Sequence, residues 1–552
     1  MNTGNPVFPE DLNLANYYLF DRIGEDLGEK TAIYYGDREF SYQQISDKSA
    51  ALSRYLVDLG VRQEERIYTV LPDSPAFAWS LFGTFAAGAV VAMGNPYAPQ
   101  PDLEYVIEYS RASVLITTDI VAQSLIETLS AFGGRHLRAI LIVPDIETGG
   151  DPEGPVALAD YGDAGFEVLP LSEAIKLGQK SSAAMPTTHR DDICMWLFTS
   201  GSTGRPKAAL HSHRDFAFNT EVYAKGTVGY RQADIAVSIP RLFFGYATGT
   251  NLFFPFSVGA SVGLFSERPS PETVASAIAR YKPTVITNVP TMMGKLLDYD
   301  ESLRKDGKDG VDMSSVRFQL SAGEALPPVL YERFIARFGG EVYDGIGSAE
   351  MFHIYASNRP GDVKGGSLGK AVDGYELKIL PRDASSPGVA PVAVGEVGVL
   401  WVRGDSVAHG YFQDRDESFR TFHGHWCRTG DLFTLDADGY LWFAGRDDDL
   451  FKASGVWVSP LEVETCMMNH PAVSLAAVIP AQFDGLLKPK AFIVLRPKWA
   501  DKGGEGLCAE LQAHCKDVLS KHKYPRAVIF LDDMPRNDRG KIDKKLLKER
   551  DQ

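Results

Sequence analysis

The sequence predicts an α/β fold: a large N-terminal domain of parallel α/β sheets with a β-barrel-like subdomain, then a small, mobile α+β C-terminal domain. Three observations predict it. Helical patterns alternate with short, continuously apolar runs over the first 180 residues, and again between residues 272 and 327. That alternation belongs to parallel strands covered by helices on both faces. From about Gly366 the texture changes to short alternating strands set apart by turn residues, as in LGKAVDGYELKIL, GEVGVLWVRG and GYLWFAGR, which reads as an antiparallel β unit. After GRDDDLFK a final stretch of about a hundred residues, long enough for a domain of its own, has its own mixture of helix and strand. The boundary falls in the charged GRDDD run, giving domains at 1–447 and 448–552.

In chain order, YQQISDKSAALSRYLVDLG is a helix stopped by Gly60, and RIYTVL is a strand. Residues 76–93 carry no charge and approach the length of a membrane span. Ser74-Pro75 ahead of them is an N-cap followed by a first-turn proline, Gly83 and Gly88 interrupt the run, and AVVAMGNP ends in a turn, so the stretch reads as a buried helix and strand. SVLITT is the next strand; ETVASAIARYKPTVITNVP is a helix and strand; VRFQLSAGEALP is a strand running into a glycine turn. In the last segment VSPLEVETCMMNHP and AELQAHCKDVLSKHK are helices, while VSLAAVIP and KAFIVLRP are strands.

Composition narrows the function. In 552 residues, 44% hydrophobic and 23% charged, neither a disordered nor a collagen-like chain fits. Against 72 acidic residues stand 56 basic ones, a net charge of −16, which argues against a surface that binds nucleic acid or anionic lipid. The basic tail RNDRGKIDKKLLKER is interleaved with acids and has no aromatic partners for bases, so it reads as a solvated helix face. Five scattered cysteines make neither a disulfide framework nor a cysteine-rich zinc site. With no basic start and no apolar stretch at the N-terminus, the expectation is a cytoplasmic protein with small-molecule partners, monomeric or homodimeric.

The strongest local signal is ICMWLFTSGSTGRPKAALHSH. An apolar strand at 193–198 delivers the chain into Thr199, Ser200, Gly201, Ser202, Thr203, Gly204 and then Lys207. Small residues let successive backbone N–H groups converge on an anion, hydroxyls add donors, and the lysine adds charge. The spacing is not that of a Walker A loop, because Lys207 follows Pro206 and precedes Ala208. A flexible surface turn is the plain alternative; the buried strand in front and the lysine behind favour a phosphate loop.

TSGSTGRPK resembles the signature of the adenylate-forming superfamily of acyl-CoA synthetases, adenylation domains and luciferases. SAGEALP, YDGIGSAE, RTGD, GRDDDLFKASGVWVSPLEVE and PRNDRGKI follow in that superfamily's order and spacing. The resemblance implies two steps: a carboxylate attacks the α-phosphate of ATP to give acyl-AMP and pyrophosphate, then a thiol, usually that of CoA, displaces AMP. It implies that the Thr199–Lys207 loop cradles the β/γ-phosphates and that Glu350 holds Mg²⁺. Gly323, Glu324 and Ala325 line the adenine and ribose, Asp344 lies near the adenine amino group beside Gly345, and Asp431 accepts from the ribose hydroxyls with help from Arg446. Lys541 is the lysine over the α-phosphate, Asp448 the hinge, and Gly455 and Trp457 the approach to the pantetheine tunnel. Two positions depart from the pattern: Ile346 replaces an aromatic on adenine, and Ala349 replaces a threonine whose hydroxyl Ser348 substitutes.

RLFFGYATG and GIGSAEMFHIYASNRPGD look most like benzoate-type aryl-CoA ligases. By that match Phe244, Gly245, Tyr246, Gly347, His353 and Ile354 wall a pocket for a flat ring, a benzoate or a substituted benzoate such as 2-aminobenzoate. The alternative acceptor for the acyl group is a carrier protein's pantetheine thiol. A light-emitting enzyme or a catalytically silent nucleotide sensor would share the scaffold.

Overall fold

The computed structural model describes residues 5–132, 135–146, 150–156, 158, 165–200, 205–453, 456–483, 486–536 and 542–550. Gly201, Ser202, Thr203, Gly204, Gly455 and Lys541 lie outside the described residues.

Two large sheets form the N-terminal part. The first runs Glu167–Pro170, Ala139–Val143, Val114–Thr118, Arg66–Val70, Val90–Met93, Ile193–Ser200 and Pro206–Ser212. Its pairings are parallel except the last, where strand Ile193–Ser200 pairs antiparallel with Pro206–Ser212 as a hairpin. The second contains Thr31–Tyr35, Ser261–Leu264, Ile235–Ser238, Val285–Asn288, Phe318–Ser321 and Val342–Gly347 side by side and parallel, extended by antiparallel edges. Its central strands are buried along their length except at Ile235, which is why they read as apolar runs and not as alternating ones.

The uncharged stretch near residue 80 is a soluble-core element. Helix Pro75–Ala86 is buried at every position, starts at Ser74, whose hydroxyl accepts from the Phe77 N–H, and has proline in its first turn. Strand Val90–Met93 follows inside the sheet. A cap of this kind is worth about 1 kcal/mol. Among the described residues no helix is long and apolar enough to cross a membrane.

The unit expected after Gly366 is a five-stranded antiparallel sheet organised around the long strand Trp426–Leu435, which pairs with Gly398–Arg403, Phe422–His423 and Leu441–Arg446. Beyond it, a separate cluster of buried side chains extends from Phe451 and Val463 to Leu511, Cys515 and Val528. It is built on the sheet Val473–Phe483, Leu486–Leu495 and Ala527–Leu531 and the helices Pro460–Met468 and Glu505–Val518.

Helix Leu171–Lys180 packs on helix Tyr42–Asp58 through a contact that admits no side chain. A Cβ on Gly178 would lie 1.8 Å from the Ala51 carbonyl oxygen, and the Gly178 carbonyl accepts from Arg54 Nε at 3.0 Å. Gly178→Ala must therefore push the two helices apart. Overpacking of this type costs about 1–3 kcal/mol, so thermal unfolding is expected several degrees below the parent protein; an unchanged Tm would contradict the close approach.

Candidate active site

The motifs singled out in the sequence converge because the sheet topology delivers them to one edge. Phe318–Ser321 leads into the Gly323 turn, Val342–Gly347 leads into Ser348 and Glu350, and Ile235–Ser238 leads into the segment carrying Phe244, Gly245 and Tyr246. All three are parallel strands of one sheet, with Val285–Asn288 between the first and the last, and open α/β sheets bind ligands beyond such carboxyl ends.

The hairpin of the first sheet is joined to this edge by a strap of backbone at residues 408–412. Leu210 N–H donates to the Gly410 carbonyl at 3.0 Å, His409 N–H to the Leu210 carbonyl at 2.9 Å, and Phe412 N–H to the Ala208 carbonyl at 3.0 Å. One residue before, Ala408 N–H donates to the Glu350 carbonyl at 2.8 Å. Side chains repeat the connection. Tyr411 Oη donates to Glu350 Oε1 at 2.8 Å, and Lys207 Nζ lies 3.8 Å from the centre of the Tyr411 ring. Lys207 also pairs with Glu417 Oε1 at 3.1 Å. Lys207 and Glu350 are thus held on one tyrosine. Thr199 faces Lys207 across the hairpin and Ser200 faces Pro206.

A second brace lies behind Glu350. His211 is fully buried, with Nδ1 2.9 Å from Asp215 Oδ2 and Nε2 2.6 Å from the Ala349 carbonyl oxygen. Asp215 is fixed in turn by the Ser212 N–H at 3.1 Å and hydroxyl at 2.7 Å. Lys207 and His211 share a face of one strand, so the same strand that carries the lysine sets the backbone next to the carboxylate.

Gly323 and Ala325 are exposed in a turn where Gly323 has φ +86°. Glu324 accepts from the Thr291 N–H at 3.1 Å and hydroxyl at 2.7 Å and meets Arg536 at 3.5 Å. Arg536, the second residue of PRNDRGK, thus meets the turn from the C-terminal domain. Asp431 and Arg446 pair across adjacent strands at 3.0 Å, and Arg446 Nε also donates to Asp448 Oδ1 at 3.1 Å. Trp457 is half-exposed with Arg382 4.6 Å from its ring, and Arg382 is tied to Asp447 at 2.7 Å. Ile346 packs against the core, and Ser348 Oγ is buried with no protein partner.

Asp344 is a buried carboxyl whose Oδ1 has no hydrogen-bond partner. Burial pushes its pKa up to about 8, against which the Ser321 hydroxyl and the Gly345 N–H act only in part. The aromatic segment is anchored by a buried pair: Asp73 Oδ1 accepts from the Leu242 N–H at 2.8 Å, and Arg241 lies 3.5 Å from Asp73 Oδ2 and donates to the Phe265 carbonyl at 2.6 Å. Phe244, Gly245 and Tyr246 follow, partly exposed at the margin of the main core. His353 sits with its ring centre 5.3 Å from that of Tyr246, 5.6 Å from Tyr223 and 4.7 Å from Phe254. Burial lowers its pKa to about 3. The neutral ring faces the Tyr246 carbonyl with Nε2 at 3.0 Å, while His353 Nδ1 and Tyr246 Oη are buried without partners. Ile354 starts the antiparallel strand beside Gly347. A Cβ on Gly347 would meet the His353 carbonyl oxygen at 2.4 Å, so that close approach requires glycine.

Residues 20–412 match the AMP-binding enzyme family and residues 462–541 the AMP-binding enzyme C-terminal domain. The chain belongs to the AMP-binding enzymes. It is 36% identical over 540 residues to a benzoate–CoA ligase of Thauera aromatica, covering 97% of this chain and 95% of that one. To an anthranilate–CoA ligase of Pseudomonas aeruginosa it is 32% identical, over 94% of this chain and 93% of that one. Its fold superposes on the crystal structure of the anthranilate CoA ligase AuaEII in complex with anthranoyl-AMP with a TM-score of 0.86 at 33% identity, covering 99% and 98% of the two chains. On a benzoate CoA ligase from Burkholderia xenovorans the TM-score is 0.83 at 34% identity, covering 97% and 99%. The expected adenylate-forming fold, with its large and small domains, is that of this family.

Motif reading missed Tyr411, Glu417, His211 and Asp215. Tyr411 is separated from Glu350 by 61 residues, Glu417 from Lys207 by 210, and His211 from Ala349 by 138; only the Ser212–Asp215 spacing, an N-cap with an acid three residues on, left a local trace.

Asp344 makes stability pH-dependent in a defined direction. Between its ordinary 3.8 and about 8 the unfolded chain has lost this proton and the native chain keeps it, so native stability falls as pH rises through that window, by up to about 1.4 kcal/mol per pH unit. Below it the contribution is fully present. In Asp344→Asn the fall in Tm between pH 5 and pH 8 is expected to be shallower than in the parent; parallel curves would show that the carboxyl does not titrate this way.

Proposed function

We propose that this AMP-binding enzyme is an ATP-dependent aryl-CoA ligase. It activates a benzoate or substituted benzoate as acyl-AMP with release of pyrophosphate, then transfers the acyl group to the thiol of CoA. The observation that carries the reading is the meeting of Lys207 and Glu350 on Tyr411, near the buried, unpartnered Tyr246 Oη and His353 Nδ1. Aryl-CoA ligases similar over nearly the full length support it.

In this reading an aromatic acid lies between Phe244, Gly245, Tyr246, Gly347, His353 and Ile354, and its carboxylate attacks the α-phosphorus of ATP. The P–O bond to pyrophosphate breaks, and negative charge moves to the leaving group. Lys207 and the Thr199–Gly204 donors hold that charge, and Lys541 sits over the attacked phosphate, where donors matter most. Asp431 and Arg446 orient the ribose; Gly323, Glu324, Ala325, Asp344, Gly345 and Ile346 border the adenine; Ser348 offers its hydroxyl to the α-phosphate. Glu350 suits Mg²⁺: it is one partly exposed carboxylate with Oε1 fixed by Tyr411, and Mg²⁺ takes one or two carboxylates and fills its shell with phosphate oxygens and water. Bound there, the ion would neutralise phosphate charge as a Lewis acid. In the second step the C-terminal unit, 448–552, turns about Asp448, bringing Gly455 and Trp457 to the pantetheine arm. The CoA sulfur attacks the acyl carbon and AMP leaves.

His353 Nδ1 and Tyr246 Oη favour an acid with a polar ring substituent. With Nε2 directed at a carbonyl, neutral His353 presents Nδ1 as an acceptor, which an amino or hydroxyl group on the ring satisfies.

Two measurements test the reading. Lys541→Ala is expected to slow acyl-AMP formation by roughly 10²–10³ while sparing thioester formation from supplied acyl-AMP; equal loss in both half-reactions removes the assignment. A methyl on Gly245 would press on Leu197, 3.2 Å from Cδ2 and 3.4 Å from Cδ1. Gly245→Ala should lower kcat/KM for 2-aminobenzoate more than for benzoate, by about tenfold, the worth of one methyl in an apolar pocket. Equal effects across a panel of substituted benzoates would exclude Gly245 as a determinant.

A further inference from the structure

We propose that Glu417 is a positioning residue for pyrophosphate release, acting through Lys207. It holds the ammonium against the Tyr411 ring and offsets its charge, so that the clamp binds the leaving group firmly enough to react and loosely enough to let go. The inference rests on the reading of Lys207 as a phosphate-binding group.

The geometry is specific. Lys207 Nζ is 3.1 Å from Glu417 Oε1, with the two side chains only 14% and 26% exposed, so water screens the pair less than it screens a surface ion pair. Glu417 Oε2 takes Arg420 Nη1 at 2.8 Å, but that arginine is 72% exposed and three residues along the same short helix, and contributes little to the charge at Lys207. The helix Arg415–Thr421 is fixed independently of the pair, since Asp414 caps it at the Glu417 N–H and the Ser418 hydroxyl reaches both the Asp414 carbonyl and the Tyr411 N–H. Glu417 is therefore not needed to hold its own helix in place. Its carboxylate instead meets the one cation that the hairpin's second strand aims at Tyr411, whose hydroxyl is committed to Glu350. A carboxylate so close to a phosphate-binding lysine weakens that lysine's hold on a polyanion. An enzyme that must expel pyrophosphate has a use for such weakening.

Glu417→Gln separates charge from shape, because the amide oxygen still accepts from the ammonium. Titration of the purified protein with inorganic pyrophosphate in magnesium buffer, followed by calorimetry, is expected to give a Kd about three- to tenfold lower than the parent, with Glu417→Asp between the two. In the Lys207→Met background the same Glu417→Gln change is expected to shift Kd by less than twofold, since the effect passes through the ammonium. An unchanged or weaker Kd in Glu417→Gln overturns the proposal. So does equal tightening in the Lys207→Met background, which would make Glu417 a direct repulsive neighbour of the ligand. If the folded parent protein binds no pyrophosphate, the phosphate reading of Lys207 fails and the inference falls with it; binding by the parent with no response at Glu417 removes the inference alone.

Discussion

Backbone hydrogen bonds from residues 408–412 to the hairpin that carries Lys207 on one side and to Glu350 on the other hold the site together. The hairpin belongs to one large sheet and the Glu350 turn to another, and nothing in either sheet's internal pairing fixes their separation. The strap does, and Tyr411 adds a side chain that contacts a charged group from each. Its hydroxyl gives Glu350 one directional bond while its ring supports the ammonium of Lys207. Two opposite charges that would otherwise be drawn together are held on one rigid aromatic, the ammonium over its ring face and the carboxylate at its hydroxyl. In the proposed reaction that arrangement would hold a carboxylate for a metal and an ammonium for a phosphate ready together.

The proposed acid pocket follows a different logic. Its walls continue the main core, with Phe243, Phe254 and Phe352 buried and Phe244 and Tyr246 at the margin. In such a pocket apolar burial and shape would supply affinity for a ring, and discrimination would come from the few polar atoms that the core leaves unpaired. Burial keeps His353 neutral, and the same burial keeps the Asp344 carboxyl protonated well above the usual carboxylate range. Both are groups whose protonation state is set by what surrounds them and not by their own chemistry.

Much of this was legible in the chain. Ser74-Pro75 announced a helix that the structure caps with the Ser74 hydroxyl, and the apolar runs at 193–198 and 318–321 announced strands buried in parallel sheets. The alternating texture beyond Gly366 announced antiparallel pairing. These signals are local, because periodicity and caps depend on neighbours within a few residues. Motif order reached further than local physics could, since it assigns Lys207, Glu350, Asp431 and Arg446 to one proposed reaction.

The sequence by itself determined which segments become strands and helices, and which short stretches have the chemistry for phosphate, metal and ribose, since those properties reside in a few consecutive residues. Only the tertiary structure decided that Lys207 meets Glu417, that Tyr411 stands between Lys207 and Glu350, and that His211 braces the carbonyl of Ala349. Each of those contacts joins residues far apart in the chain, and a side chain with no periodic or capping constraint gives no sign in the sequence of the partner that folding will bring to it.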